Sequence, residues 1–130
     1  MKLNRAGVIL SVTDVWASKD FYVDHFGFSV DAEYRDPDYV ILVGAGARLS
    51  LSVAGNEAQD LPGYRQLPPQ DARAQATMLV VEVDNVDDAY VALTSAGVTA
   101  ASEVFRPPWG GGRFFALDPD GYLIEVEEMA

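Results

Sequence analysis

Gly7-Val8-Ile9-Leu10-Ser11-Val12-Thr13-Asp14 returns 71 residues later as Met78-Leu79-Val80-Val81-Glu82-Val83-Asp84-Asn85. In each stretch apolar residues alternate: Val8, Leu10 and Val12 in the first, Leu79, Val81 and Val83 in the second. That period of two is the mark of a half-buried strand. Each stretch ends in Asp14 or Asn85, whose side chain can accept a free backbone N–H and so start a helix. The helices then differ. Val86, Ala89, Tyr90 and Leu93 form a regular i, i+3, i+4, i+7 stripe. In the first helix Val15, Tyr22 and Phe26 share a face, with Phe21 beside it. Gly27 and Gly97, 70 residues apart, suit the left-handed position that ends a helix.

Three strands are expected after each helix. In the first copy they span about 28–34, 38–43 and 47–53, with Gly44-Ala45-Gly46 as the hairpin turn. In the second they span about 99–106, 112–117 and 122–128, with Asp118-Pro119-Asp120-Gly121 as the turn. The chain therefore reads as a single α+β domain, 1–130, built of two βαβββ modules, 4–55 and 76–128. The segment 56–75, with Pro62-Gly63, Pro68-Pro69 and little periodicity, reads as a linker; its Leu61, Tyr64 and Leu67 can pack down as a lid. Two modules that each bury one sheet face imply a paired architecture with a concave centre.

Composition sets the outer bounds. A chain of 130 residues, 49% hydrophobic and 22% charged, is the size of one ordinary domain. Its longest apolar runs, 39–46 and 77–81, fall far short of the roughly 18 residues that cross a bilayer. Met1-Lys2-Leu3-Asn4-Arg5 leads directly into a strand, without the apolar core of a signal peptide. There is no cysteine, which excludes disulfides and thiol chemistry and agrees with a cytoplasmic location. The net charge of −11 repels nucleic acid and anionic membranes. It is uneven: 1–55 carry five basic and seven acidic residues, whereas 76–130 carry two and ten. The second half thus favours cationic ligands, although acidity alone also serves solubility.

Two further pieces carry a resemblance. One is Ser18-Lys19-Asp20-Phe21-Tyr22 leading to Phe26-Gly27-Phe28. The other is Phe115-Ala116-Leu117-Asp118-Pro119-Asp120-Gly121-Tyr122-Leu123-Ile124-Glu125, similar to a family ending in which Asn is usual where Tyr122 stands. With the repeat, they make about residues 4–128 resemble the vicinal oxygen chelate superfamily, which includes glyoxalase I, ring-cleaving dioxygenases, fosfomycin-modifying enzymes and bleomycin-resistance proteins. The resemblance implies the glyoxalase/bleomycin-resistance fold, a concave, partly closed mixed sheet. It also implies a divalent metal held by the first and last strand of each module. Those positions here are Gly7, Ser50 (or Ser52) and Met78, which are poor ligands, and Glu125. One carboxylate cannot hold such a metal against water, so no metal and no cofactor is expected. The sole histidine, His25, reads as a helix-end or packing residue, which leaves no histidine for a triad.

What remains is a pocket for an organic molecule. Metal-free resistance proteins of the superfamily are acidic dimers with clefts near the subunit interface, and a similar Trp-Gly…Arg segment runs beside their ligand. The resemblance therefore implies a homodimer and draws attention to Phe105, Trp109, Gly112 and Arg113. Trp109 offers a flat stacking face and Gly110, Gly111 and Gly112 permit unusual backbone angles. Tyr39, with Tyr34 near it, is expected on the opposite wall, Ser50 and Met78 on the floor, and Arg113 beside Glu125 or a ligand oxygen. Each aromatic residue has a core-packing alternative, and Trp16 is equally compatible with an exposed, dimer-facing or ligand-touching role. Three functions are compatible with these residues. The first is sequestration of an aromatic natural product, cationic or uncharged, giving antibiotic resistance without catalysis. The second is a superfamily enzyme of lyase or isomerase type with Glu125 as general base. The third is a non-catalytic accessory domain.

Overall fold

The structure, a computed structural model, describes residues 1–130. The chain divides into two compact units, Met1–Pro68 and Pro69–Ala130. The first contains β1 (Gly7–Val12), α1 (Val15–Phe26), β2 (Ser29–Tyr34), β3 (Tyr39–Gly44) and β4 (Ala47–Val53). The second contains β5 (Leu79–Glu82), α2 (Val86–Ser95), β6 (Gly112–Leu117) and β7 (Leu123–Glu128). No helix is long and apolar enough to cross a membrane.

Both helices begin and end as their sequences direct. Asp14 accepts hydrogen bonds from the backbone N–H of Trp16 and Ala17, each at 3.1 Å, and Asn85 accepts one from Asp88 at 2.9 Å. Gly27 closes α1 in the left-handed region, and Gly97 follows α2 in the same conformation. The Ala45-Gly46 turn between β3 and β4 has positive φ at both residues, the pairing that suits a tight two-residue hairpin. At the other hairpin the Asp118 carboxylate accepts from the N–H groups of Asp120 and Tyr122, both at 2.9 Å.

In the first unit the strand order is β1-β4-β3-β2, with β1 parallel to β4 and the other pairs antiparallel. Leu10, Val12, Val40, Leu42, Leu49 and Leu51 fill one face, on which α1 lays Val15 and Tyr22. In the second unit the order is β5-β7-β6, with β5 parallel to β7. Phe114, Ala116, Ile124 and Val126 face α2 there, and Phe114 meets Tyr90 edge to face at 5.1 Å.

These sheets correct the expected concave, partly closed mixed sheet. The strands hydrogen-bond as two open sheets, one in each unit, of four and three strands. In the first, the edge strands β1 and β2 each bond on one side only, so nothing closes the sheet on itself. In the second, the strand expected over 99–106 is reduced to isolated bridges, Ala100 to Ala116 and Phe105 to Arg113. Two extra residues bulge between these bridges, and the Ser102 hydroxyl takes the Phe115 N–H at 3.0 Å in place of a backbone carbonyl. Pro107 and Pro108, which have no N–H to give, follow at once.

The residues between the periodic regions are tied into their own units. Gln66 donates to the Ile9 carbonyl at 2.6 Å, while its carbonyl accepts from the Ser11 hydroxyl at 2.7 Å. Gln75 donates to the carbonyls of Ala72 and Gly121, both at 2.8 Å, and accepts from Leu123 N–H at 3.3 Å.

Candidate functional site

Strand parity decides which side chains leave the core. On β7 the buried Ile124 and Val126 alternate with Glu125 and Glu127. Across the antiparallel pair Glu125 faces Phe115 and Glu127 faces Arg113; across the parallel pair they face Val80 and Glu82. The face turned away from α2 therefore carries three carboxylates, Glu82, Glu125 and Glu127, beside an arginine and an aromatic ring.

This face continues into a cavity of about 300 Å³ lined by Phe105, Pro107, Trp109, Gly112, Arg113, Glu125 and Glu127. Trp109 is 78% exposed at its mouth. Arg113 lies 3.5 Å from the Glu125 carboxylate and 5.2 Å from the centre of the Phe115 ring. The Glu127 carboxyl is held above its ordinary value of 4.5. Loss of hydration is the first cause, followed by a hydrogen bond and like charge from Glu125 and by the charge of Glu82; Arg113 opposes them.

The aromatic segment is anchored at its base. The Arg106 guanidinium pairs with Asp87 in α2, lies 3.8 Å from Glu128 and donates to the Gly111 carbonyl at 3.2 Å. Asp87 holds the guanidinium pKa above its ordinary value, mainly through that hydrogen bond. Glu128 in turn accepts from the Val86 N–H at 2.9 Å. Gly111 has φ 74°, and a Cβ there would lie 2.5 Å from the Glu128 carbonyl oxygen. The close approach that this glycine permits is thus to the chain's own backbone.

The candidate residues fall into groups. Phe105, Trp109, Gly112, Arg113 and Glu125 come together around the second-unit cavity. Tyr39 and Ser50 line a cavity of about 260 Å³ in the first unit, with Arg5, Ala6, Gly7, Val8, Ile9 and Arg48. Tyr34 is exposed on β2, its ring 6.4 Å from that of Tyr39. Met78 precedes β5, is 40% exposed and lines neither cavity. Trp16 donates its indole N–H to Asp38 at 3.2 Å and lies under the Arg35 guanidinium at 4.1 Å, so it braces the β2–β3 turn. His25 packs edge-on against Phe21 at 5.2 Å.

Glu127, Pro107 and the two first-unit arginines are absent from the sequence-based selection. Parity held a signal for two of them: Glu127 stands two residues from Glu125 and Arg48 two residues from Ser50, hence on the same faces.

The divalent metal implied by resemblance does not fit these donors. Gly7, Ser50, Met78 and Glu125 provide a single carboxylate, and no group of three or more His, Cys, Asp or Glu side chains is arranged to hold a metal ion.

Among solved structures, TioX from Micromonospora sp. ML1 is similar, with TM-score 0.77 and 21% identity over 98% of this chain and 99% of its own. An integron cassette protein from the mobile metagenome of V. cholerae matches with TM-score 0.72 and 23% identity, over 100% and 98%. A lactoylglutathione lyase from Agrobacterium tumefaciens matches with TM-score 0.72 and 20% identity, over 94% and 90%. At these identities the likeness is one of fold. No curated protein matches the chain. The family model described as the Glyoxalase/Bleomycin resistance protein/Dioxygenase superfamily matches residues 2–126, and the chain belongs to that superfamily.

Proposed function

We propose that the chain is a metal-independent binding protein that sequesters an aromatic small molecule carrying a cationic group. The observation that carries this reading is one cavity that combines the exposed Trp109 and Phe105 rings with the Glu125 and Glu127 carboxylates. A flat ligand stacks on the indole while its cation replaces Arg113 beside the carboxylates. Such a protein acts by mass action in the cytoplasm, as a homodimer with its cleft near the subunit interface, and gives antibiotic resistance without altering the drug.

The test is a fluorescence titration with flat aromatic cations, acridinium and anthracycline compounds among them. Trp16→Phe isolates the Trp109 signal. Trp109→Ala weakens binding by about tenfold, the loss expected for one stacking face. Unchanged affinity in Trp109→Ala rules the stacking site out. Size-exclusion chromatography with light scattering checks the dimer.

A second reading, turnover with Glu125 as general base, draws on the neighbouring carboxyls. Glu127 is held above its ordinary value by lost hydration and then by Glu125, and a carboxyl so raised at the wall of a cavity is a known pointer to acid–base function. Product that forms with the wild-type chain and disappears in Glu125→Gln supports turnover; recovery of unaltered compound after long incubation supports sequestration.

A further inference from the structure

The first-unit cavity has the opposite electrostatic character, which the reading above does not use. It is lined by Arg5 and Arg48, by the hydroxyl-bearing Tyr39 and Ser50, and by Ala6, Val8 and Ile9. The chain has 20 acidic residues against nine lysines and arginines, of which three, Lys19, Arg106 and Arg113, form ion pairs with carboxylates. Arg5 and Arg48 do not: neither has an ion pair or a side-chain hydrogen bond, yet both border one pocket. An oxyanion in a pocket bordered by two guanidinium groups meets two charge-assisted hydrogen-bond donors.

The backbone sets this pocket. Arg48 and Ser50 are two residues apart on β4 and share a face, with Gly7 and Ile9 directly beside them on β1. A Cβ at residue 7 would lie 2.6 Å from the Arg48 carbonyl oxygen and 2.9 Å from its Cβ. Glycine there lets β1 begin flush against the arginine stem. Ser50 is 3% exposed at the pocket floor, and Ile9 is half exposed beside it. The result is a polar, cationic rim on an apolar wall.

We propose that this cavity binds a small organic anion: an oxyanion head, carboxylate or phosphate, held by Arg5 and Arg48, on an apolar body that packs on Val8, Ile9 and the Tyr39 ring. It is an anion subsite in a chain of net charge −11.

Amide NMR titration of the full chain tests it, with benzoate, phenyl phosphate and benzylammonium as probes. Benzoate or phenyl phosphate gives saturable shifts at 6–9 and 48–50, and the tighter of the two names the head group. Benzylammonium leaves those amides unmoved. Arg48→Gln and Arg5→Gln each weaken the anion by about tenfold, as loss of one charge-assisted contact requires. Arg48→Lys keeps the charge but not the planar fork and lies between. Both arginines are exposed, so the variants keep the wild-type amide spectrum elsewhere. Absence of saturable shifts with both anions overturns the proposal, as does equal affinity in the Arg5→Gln/Arg48→Gln double variant. Trp109→Ala leaves this binding intact, which separates its failure from failure of the second-unit site.

Discussion

The two units repeat one pattern and put different chemistry on it. Ile9 pairs with Ser50 as Val80 pairs with Glu125, and Ile9 and Val80 are the same place in the repeat. Following the ladders outward, Ser50 and Ser52 stand where the second unit has Glu125 and Glu127, and Tyr39 stands where it has Arg113. The buried sides match in kind, with Val40 equivalent to Phe114 and Leu51 to Val126. The opposite sides do not. Six basic and nine acidic residues occupy the first unit, three and eleven the second. Packing constrains one face of each sheet, so that face keeps its apolar character; the other face is free to take hydroxyls and arginines in one unit and carboxylates in the other.

The largest test of that comparison lies in the cores. Phe114 is 1% exposed and braced by Tyr90. Phe114→Ala lowers stability by about 3–5 kcal/mol, the usual range for emptying a buried aromatic site. Its counterpart Val40→Ala removes less volume and loses about 2 kcal/mol from lost methyl groups and the residual cavity. Urea unfolding of both variants measures the difference. Equal losses would show that the equivalent positions do not differ in packing as their side chains imply.

A smaller effect comes from the starts of the first strands. Gly7→Ala drives a Cβ against the Arg48 backbone, which cannot give way as a flexible side-chain tip does. The variant loses about 1–3 kcal/mol as β1 shifts from β4. Met78, the equivalent position in the second unit, is exposed, and Met78→Ala stays within about 0.5 kcal/mol of the wild type. Thermal unfolding distinguishes them, and a silent Gly7→Ala would contradict the close approach of the two strands.

Much of this was legible in the sequence, for physical reasons that differ between elements. The repeated strand openings, both helix caps and the Ala45-Gly46 and Asp118–Gly121 turns depend on local geometry, which a few adjacent residues specify. Hydrogen bonding between distant strands is less local. The 99–106 region has strand-like residues, yet its register slips by two between Ala100 and Phe105, and the Ser102 side chain fills the gap. Pattern alone does not reveal such a slip. Phe105, Trp109, Gly112, Arg113 and Glu125, which line one cavity, were legible through the resemblance to the superfamily, with the aromatic and glycine residues also standing out within a short segment. Arg5 and Arg48 were not, because a surface arginine carries no mark of being unpaired until its neighbours are placed. Arg106 was missed likewise: its anchoring role comes from Asp87 and Glu128, which are distant in sequence.

The smallest expected effect sharpens the electrostatic half of the comparison. Glu127 binds its proton more tightly in the folded chain than its ordinary value of 4.5, because lost hydration and the charges of Glu125 and Glu82 outweigh Arg113. Between the unfolded and folded values the native chain still holds a proton that the unfolded chain has released. Stability therefore falls as pH rises through that window, and the penalty persists above it. Glu127→Gln removes the penalty: its Tm exceeds the wild-type value at pH 7, and the advantage shrinks as pH falls through the folded value towards 4.5. Ser52 occupies the same register without a carboxyl, so Ser52→Gln changes Tm by an amount that does not vary with pH over that range. The carboxylate also links stability to binding. A cationic ligand favours ionised Glu127, so its affinity declines as pH falls through the same window, and Glu127→Gln flattens that dependence. A pH-independent Tm difference in Glu127→Gln would mean that Arg113 cancels the repulsion, and the acidic face of β7 would then be a neutralised pair beside a single free charge.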